Sequence, residues 1–66
     1  MNTLSELRKA NGLSMKGLAE AASVNIGTVS RLERGLVSPT LIVAKRIASA
    51  LNVEVTQIDF ESAKND

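Results

Sequence analysis

Start and stop signals for α-helices recur at short intervals along the chain, and they limit its fold more than any other sequence feature. Thr3 followed by Glu6 has the spacing of a capping box, and Gly12 can end that helix in the left-handed conformation. Ser14 and Asn25 are strong N-cap residues for two further helices. These signals divide the first half of the chain into short helices.

Apolar residues at helical spacing occupy the segments between the signals. The first helix is predicted at residues 4–11, and the second ends near Ala22, before Ser23. The third helix begins after Asn25 and stops at Gly35. Only a short turn separates the second helix from the third, which is the arrangement of a helix-turn-helix.

A longer helix is predicted after the third. Ser38-Pro39 has the pattern of an N-cap and a first-turn proline, and this fourth helix closes near Asn52. Its apolar residues form the longest regular stripe in the chain, which suits the back wall of a core: Leu41, Ala44, Ile47, Ala48 and Leu51. The core must be aliphatic, because Phe60 is the only aromatic residue.

The end of the chain carries signals for a short fifth helix. Val55 and Phe60 flank Thr56 at the spacing of a hydrophobic staple around an N-cap. Residues 62–66 are expected to fray. The sequence therefore predicts an all-α domain of five helices over residues 1–61, with a helix-turn-helix formed by helices 2 and 3.

Composition argues against several classes of protein. Hydrophobic residues make up 44% and charged residues 23% of the 66 positions, as in ordinary globular domains. The chain contains neither Cys nor His, which are the common residues for nucleophilic, acid–base and metal chemistry. We therefore expect no enzyme activity, metal site, cofactor or small-molecule substrate. The sequence also lacks a signal-peptide pattern and a long apolar run, so we expect a cytoplasmic protein without a membrane partner.

Charge is distributed unevenly, although the net charge is only +1. Residues 1–53 carry seven basic and three acidic side chains, whereas residues 54–66 carry one basic and four acidic ones. This asymmetry permits a surface that faces a polyanion on the first part of the chain. Scattered solvated charges are the alternative interpretation.

One side of the third helix carries residues that no core requires. At about 100° per residue, a buried Val29 leaves Gly27, Arg31 and Arg34 on the opposite side, with Ser30 beside them. Arginine can donate two hydrogen bonds to guanine in the major groove, and glycine lets a backbone come close. This side suits contact with DNA, or else it is simply solvated.

The segment from Ser14 to Gly35 resembles the helix-turn-helix of the phage repressor and Cro family, also called the XRE family, and the match extends from Leu7 to Val53. The resemblance implies a lambda-repressor-like fold and a regulator of transcription in a bacterial or phage-infected cytoplasm. It also implies a Cro-like repressor that binds double-stranded DNA as a homodimer, with the third helix in the major groove of a near-palindromic operator.

The same resemblance assigns roles to individual residues. The positions that face bases are Asn25, Ile26, Gly27, Ser30 and Arg31. The positions where family members contact phosphate are Ser14, Met15, Lys16, Thr28, Arg34 and Thr40. Arg8 and Glu33 match a largely buried ion pair between the first and third helices, for which a solvated surface pair is the alternative. The dimer contact is expected at Val53, Val55 and Gln57.

Four positions depart from the family pattern or stay ambiguous. Met15 stands where the family often has Gln, so only its backbone amide could bind a phosphate. Ser23 replaces the usual glycine of the turn, which predicts slight strain or a different shape. Ile26 either packs against the second helix, as its angle favours, or contacts a thymine methyl. Gly27 lacks a side chain that could contact a base.

An alternative function is a protein-interaction module, such as an antitoxin or an adaptor. The missing Gln at Met15 and the bare Gly27 favour it mildly. Leu36 and Val37 are apolar residues in a loop, where they cover the core, flank phosphates or touch a partner.

Overall fold

The computed structural model describes residues 2–60, and four α-helices contain most of them. The helices are α1 (Leu4–Ala10), α2 (Met15–Ala22), α3 (Ile26–Glu33) and α4 (Leu41–Leu51). The other elements are a 3-10 turn (Val55–Gln57) and two short strands, β1 (Asn2–Thr3) and β2 (Ile58–Asp59). The helical fold and the helix-turn-helix order are confirmed, whereas the predicted number of five helices is wrong.

Side-chain caps begin the first three helices where the sequence predicted them. Thr3 Oγ1 accepts a hydrogen bond from the Glu6 N–H at 3.1 Å, and the Glu6 carboxylate accepts one from the Thr3 N–H at 2.9 Å. Ser14 and Asn25 cap α2 and α3 through 2.9 Å hydrogen bonds to backbone N–H groups. Each cap satisfies a backbone donor that has no partner inside its helix.

The predicted start of the fourth helix is wrong by two residues. Its N-cap is Thr40, whose Oγ1 accepts a hydrogen bond from the Val43 N–H at 3.2 Å, and Pro39 precedes the helix. Ser38 and Thr40 both offer a capping hydroxyl, so the local pattern did not distinguish them. Leu41 is consequently the first residue of α4 and is 66% exposed, although the sequence placed it in the buried stripe.

The predicted fifth helix is replaced by the 3-10 turn and β2. Glu54, rather than Thr56, starts the turn, and its N–H donates to Gln57 Oε1 at 2.8 Å. The strand β2 then pairs in parallel with β1. Ile58 is only 5% exposed, and an extended backbone suits a β-branched side chain at a half-buried surface. The expected domain end at residue 61 and the frayed tail 62–66 lie outside the described residues.

An aliphatic core joins the helices. Its buried members are Leu4, Leu18, Ala19, Ala22, Val29, Leu32, Ala44, Ile47, Ala48, Leu51 and Ile58. The helix α2 packs against both α3 and α4, and α4 forms the back wall that the sequence predicted. Phe60 packs against this core while only partly buried.

The turn between α2 and α3 contains a serine in the left-handed region. Ser23 has φ 57°, as expected where the family usually has glycine. Its N–H donates to the Glu20 carbonyl at 3.2 Å, and the Val24 N–H donates to the Ala19 carbonyl at 2.9 Å. This pair of hydrogen bonds is a Schellman motif, which satisfies the last carbonyls of α2. Arg46 of α4 also donates to the Ser23 carbonyl at 3.4 Å.

Arg8 and Glu33 form an ion pair that joins α1 to the end of α3. Nε and Nη2 of Arg8 both donate to the Glu33 carboxylate, and Nη1 donates to the Leu13 carbonyl at 2.9 Å. The two side chains are only 12% and 9% exposed. The hydrogen bond to Glu33 raises the pKa of Arg8 above its ordinary value; burial opposes this shift, and the charge of Glu33 adds to it.

Substitution of Ser23 by glycine is expected to stabilise the fold. A side chain in the left-handed region costs about 1–2 kcal/mol. Glycine removes this cost, but its more flexible backbone loses more entropy on folding, which offsets about half of the gain. The free energy of unfolding should therefore rise by about 0.5–1 kcal/mol in urea titrations followed by circular dichroism. Gly35→Ser is the matched control, because Gly35 has φ 72° and the reverse change should destabilise. A Ser23→Gly variant that is less stable than the unmodified protein would show that the backbone at Ser23 is not strained.

Substitution of Glu33 by alanine is expected to destabilise the domain severely. The change leaves the Arg8 charge without its carboxylate, which costs about 3–5 kcal/mol. Thermal unfolding followed by circular dichroism measures the loss, with Glu20→Ala as an exposed control on α2. The double variant Arg8→Met, Glu33→Leu should recover most of the stability, because it removes both charges together. An unchanged melting temperature for Glu33→Ala would refute the role of the pair.

Candidate nucleic-acid interface

The helix α3 has a buried side and an outward side. Val29 and Leu32 are 0% and 2% exposed, so they anchor the helix in the core. Arg31 and Arg34 are exposed, and neither guanidinium makes a hydrogen bond or ion pair with another described residue. The outward side of α3 therefore presents two cations whose donors are available to a ligand.

Three of the expected base-facing residues meet at the first turn of α3. Asn25 Oδ1 accepts a hydrogen bond from the Gly27 N–H at 2.9 Å. A Cβ atom added to Gly27 would lie 3.3 Å from that Oδ1 and 3.2 Å from Nη1 of Arg31. The Arg31 side chain thus lies back along the helix toward its N-terminus, with the guanidinium next to Gly27 and on the same surface as the Asn25 amide.

Ile26 and Ser30 complete the expected base-facing set. Ser30 is partly exposed on α3. Ile26 is 48% exposed, so the favoured interpretation, packing against the second helix, accounts for only part of its surface. Val24 of the turn packs against the core instead. The Ile26 side chain therefore lies half in solvent at the start of α3.

The expected phosphate-contacting residues lie at three places on the fold. Ser14, Met15 and Lys16 begin α2, with Met15 and Lys16 exposed in its first turn. Because first-turn amides have no partner inside a helix, the N–H groups of Met15 and Lys16 remain available to an acceptor. Thr28 and Arg34 belong to α3 and its C-cap, and Thr40 is the N-cap of α4.

The residues expected at a dimer contact line two different grooves. Val53 and Gln57 line a shallow groove with Asn2, Leu7 and Thr56. Val55 instead lines a larger groove of about 580 Å³, between the start of α4 and β2. The 3-10 turn separates the two grooves, which a continuous fifth helix would not have done.

Sequence reasoning identified only half of an exposed apolar segment next to the candidate interface. It noted Leu36 and Val37 as apolar loop residues but assigned Leu41 to the core stripe. Leu36, Val37, Leu41 and Ile42 are between 38% and 66% exposed, so Leu36 and Val37 do not cover the core. Helical periodicity could have identified Ile42, because it falls outside the buried stripe of α4. The exposure of Leu41 was not predicted, because the sequence placed the start of α4 two residues too early.

Among residues 2–60, no group of three or more acidic, Cys or His side chains could hold a metal ion. No helix in this part of the chain combines the length and the apolar character that a membrane span requires.

Comparisons with known proteins agree with this geometry. The helix-turn-helix family model matches residues 4–58. An uncharacterized HTH-type transcriptional regulator of Methanothermobacter thermautotrophicus is 49% identical over 49 residues, which cover 74% of this chain and 71% of that protein. No solved structure matches the chain significantly.

Two longer relatives also match. The HTH-type transcriptional regulator DdrOP3 of Deinococcus deserti is 38% identical over 52 residues, which are 79% of this chain and 40% of that protein. The HTH-type transcriptional regulator SutR of Escherichia coli is 41% identical over 51 residues, which are 77% of this chain and 29% of that protein. The chain thus matches less than half the length of each. Because the family model covers most of the chain, the resemblance found in the sequence is confirmed, and the chain belongs to the XRE family of helix-turn-helix proteins.

Proposed function

We propose that the protein is a sequence-specific DNA-binding regulator of transcription, a Cro-like repressor that acts as a homodimer with α3 in the major groove. The exposed guanidinium of Arg31 carries this proposal. It lies on a helix fixed in the core by Val29 and Leu32 and tied to α1 by Glu33. Arginine donates two parallel hydrogen bonds to guanine, and a rigid helix loses little freedom when it binds.

Phosphate contacts would fix the position of α3 in the groove. Lys16 and Arg34 are exposed cations at the start of α2 and the end of α3. The open amides at the start of α2 add donors and the positive end of a helix dipole. Such contacts supply affinity that does not depend on base sequence, whereas Arg31 and its neighbours supply the choice of bases.

A homodimer follows from the small reach of one helix. One recognition helix contacts only a few base pairs, and two-fold pairing places two of them about 34–36 Å apart on a near-palindromic operator. We propose that Val53 and Gln57, which share a groove, belong to the contact between the subunits, with Val55 at its edge.

The first test is the salt dependence of binding to duplexes selected from a random library. Affinity measured by fluorescence anisotropy should fall steeply with salt, because cations of the protein replace counterions on the phosphates. Arg34→Ala should weaken binding to all sequences and reduce the salt slope by about 1. Lys9→Ala, which removes an exposed cation from α1, should leave both quantities unchanged. Failure of the unmodified protein to bind any duplex at low salt would refute DNA binding.

Ile26→Ala tests whether Ile26 contacts a base. Because Ile26 is 48% exposed, the melting temperature should change by only a few degrees. If the side chain meets a thymine methyl, discrimination at one T·A pair should fall by about 1 kcal/mol, the value of burying one methyl group. Replacing that thymine by uracil should then weaken binding of the unmodified protein but not of Ile26→Ala. Lost stability with unchanged discrimination would assign Ile26 to packing instead.

A protein-interaction module is the second candidate, and one observation favours it. Leu36, Val37, Leu41 and Ile42 are exposed within a short stretch of the chain, and exposed apolar surface often marks a protein contact. A module of this kind, such as an antitoxin or an adaptor, would show no salt-sensitive binding to duplexes.

A further inference from the structure

We infer that Gly27 is a specificity-determining residue: its missing side chain lets the Arg31 guanidinium lie beside the Asn25 amide, and this arrangement selects guanine. The assignment rests on the proposed DNA binding and goes beyond it by naming the base and the residue that controls its selection. Gly27 acts here by the space it leaves beside the guanidinium.

The geometry at the first turn of α3 supports this role. The point that a Cβ of residue 27 would occupy lies 3.2 Å from Nη1 of Arg31 and 3.8 Å from its Cζ. The same point lies 3.3 Å from Asn25 Oδ1. Side chains on a helix lean toward its N-terminus, so the residue four positions before an arginine decides how close the guanidinium can come. With glycine there, the guanidinium and the amide flank a bare stretch of backbone.

A side chain at position 27 would displace Arg31 before it displaced Asn25. Both distances are shorter than ordinary contacts of a Cβ atom, so one neighbour has to move. Asn25 Oδ1 is held by the 2.9 Å hydrogen bond from the Gly27 N–H, which caps α3. The Arg31 guanidinium has no partner among residues 2–60, and it ends a flexible chain. A methyl group would therefore push the guanidinium aside by a few tenths of an ångström and leave the cap in place.

The available hydrogen-bonding groups favour guanine. Arg31 offers donors only. Oδ1 of Asn25 already accepts the capping hydrogen bond and keeps one lone pair, whereas its amide nitrogen has both donors free. A guanine presents two acceptors, O6 and N7, in the major groove, whereas adenine presents one acceptor and one donor. A surface dominated by donors therefore matches guanine better than adenine.

Base substitution in a selected duplex tests the inference. For the unmodified protein, replacing one guanine per half-site by 7-deazaguanine, which lacks the N7 acceptor, or by adenine should weaken binding about 5- to 150-fold. Gly27→Ala should lower that ratio at least about 2-fold, because a displaced guanidinium no longer aligns with both acceptors of guanine. The salt slope of the variant reports its phosphate contacts separately from this ratio.

Controls separate this role from general effects of the substitution. Gly17→Ala adds the same methyl to α2, also 3.3 Å from a capping oxygen, that of Ser14, and should preserve the guanine preference. Arg31→Lys keeps the charge without the paired donors and should lose the preference more completely than Gly27→Ala does. Circular dichroism should show no loss of stability in Gly27→Ala, because alanine favours a helix more than glycine does.

The outcomes distinguish the role of Gly27 from DNA binding itself. Gly27→Ala with the full guanine ratio overturns the role of Gly27, and so does an unmodified protein that binds selected duplexes without preferring guanine. Absence of any duplex binding by the unmodified protein at low salt overturns the proposed function itself.

Discussion

The contact between Arg8 and Glu33 fixes the helix on which the interface depends. The helix α3 has only two fully buried side chains, Val29 and Leu32, and a small core limits the stability that they provide. The ion pair adds a directional contact at the C-terminal end of the helix, since three nitrogens of one guanidinium bind the Glu33 carboxylate and the Leu13 carbonyl. Burial of such a pair costs desolvation free energy, but its hydrogen bonds restrict the orientation of α3. The outward side chains of the helix depend on that orientation.

The arrangement of groups on the outer surface of α3 depends on a fixed helix. The guanidinium of Arg31, the backbone at Gly27 and the amide of Asn25 keep their arrangement only if the helix itself does not rotate. Each element then has a separate task. The core and the ion pair hold the helix, the starts of α2 and α4 offer donors around it, and its first turn presents the groups that we propose distinguish bases.

Local signals were sufficient for most of the fold. Thr3 with Glu6, Ser14 and Asn25 mark helix starts because each cap is a contact within three residues along the chain. The signals failed where a distant partner decided the outcome, as in the pairing of β2 with β1, which no local pattern at Ile58 reveals. For the interface, periodicity identified the outward arginines, but it did not show that Arg31 lies against Gly27, because that contact depends on a rotamer.

The parallel pair of β1 and β2 ties the two ends of the described segment together, with Asn2 beside Ile58 and Thr3 beside Asp59. The helix α1 starts at the residue after β1 and carries Arg8. Because β1 runs directly into α1, the strand pair closes the described segment into a ring whose two ends meet beside the helix that anchors α3.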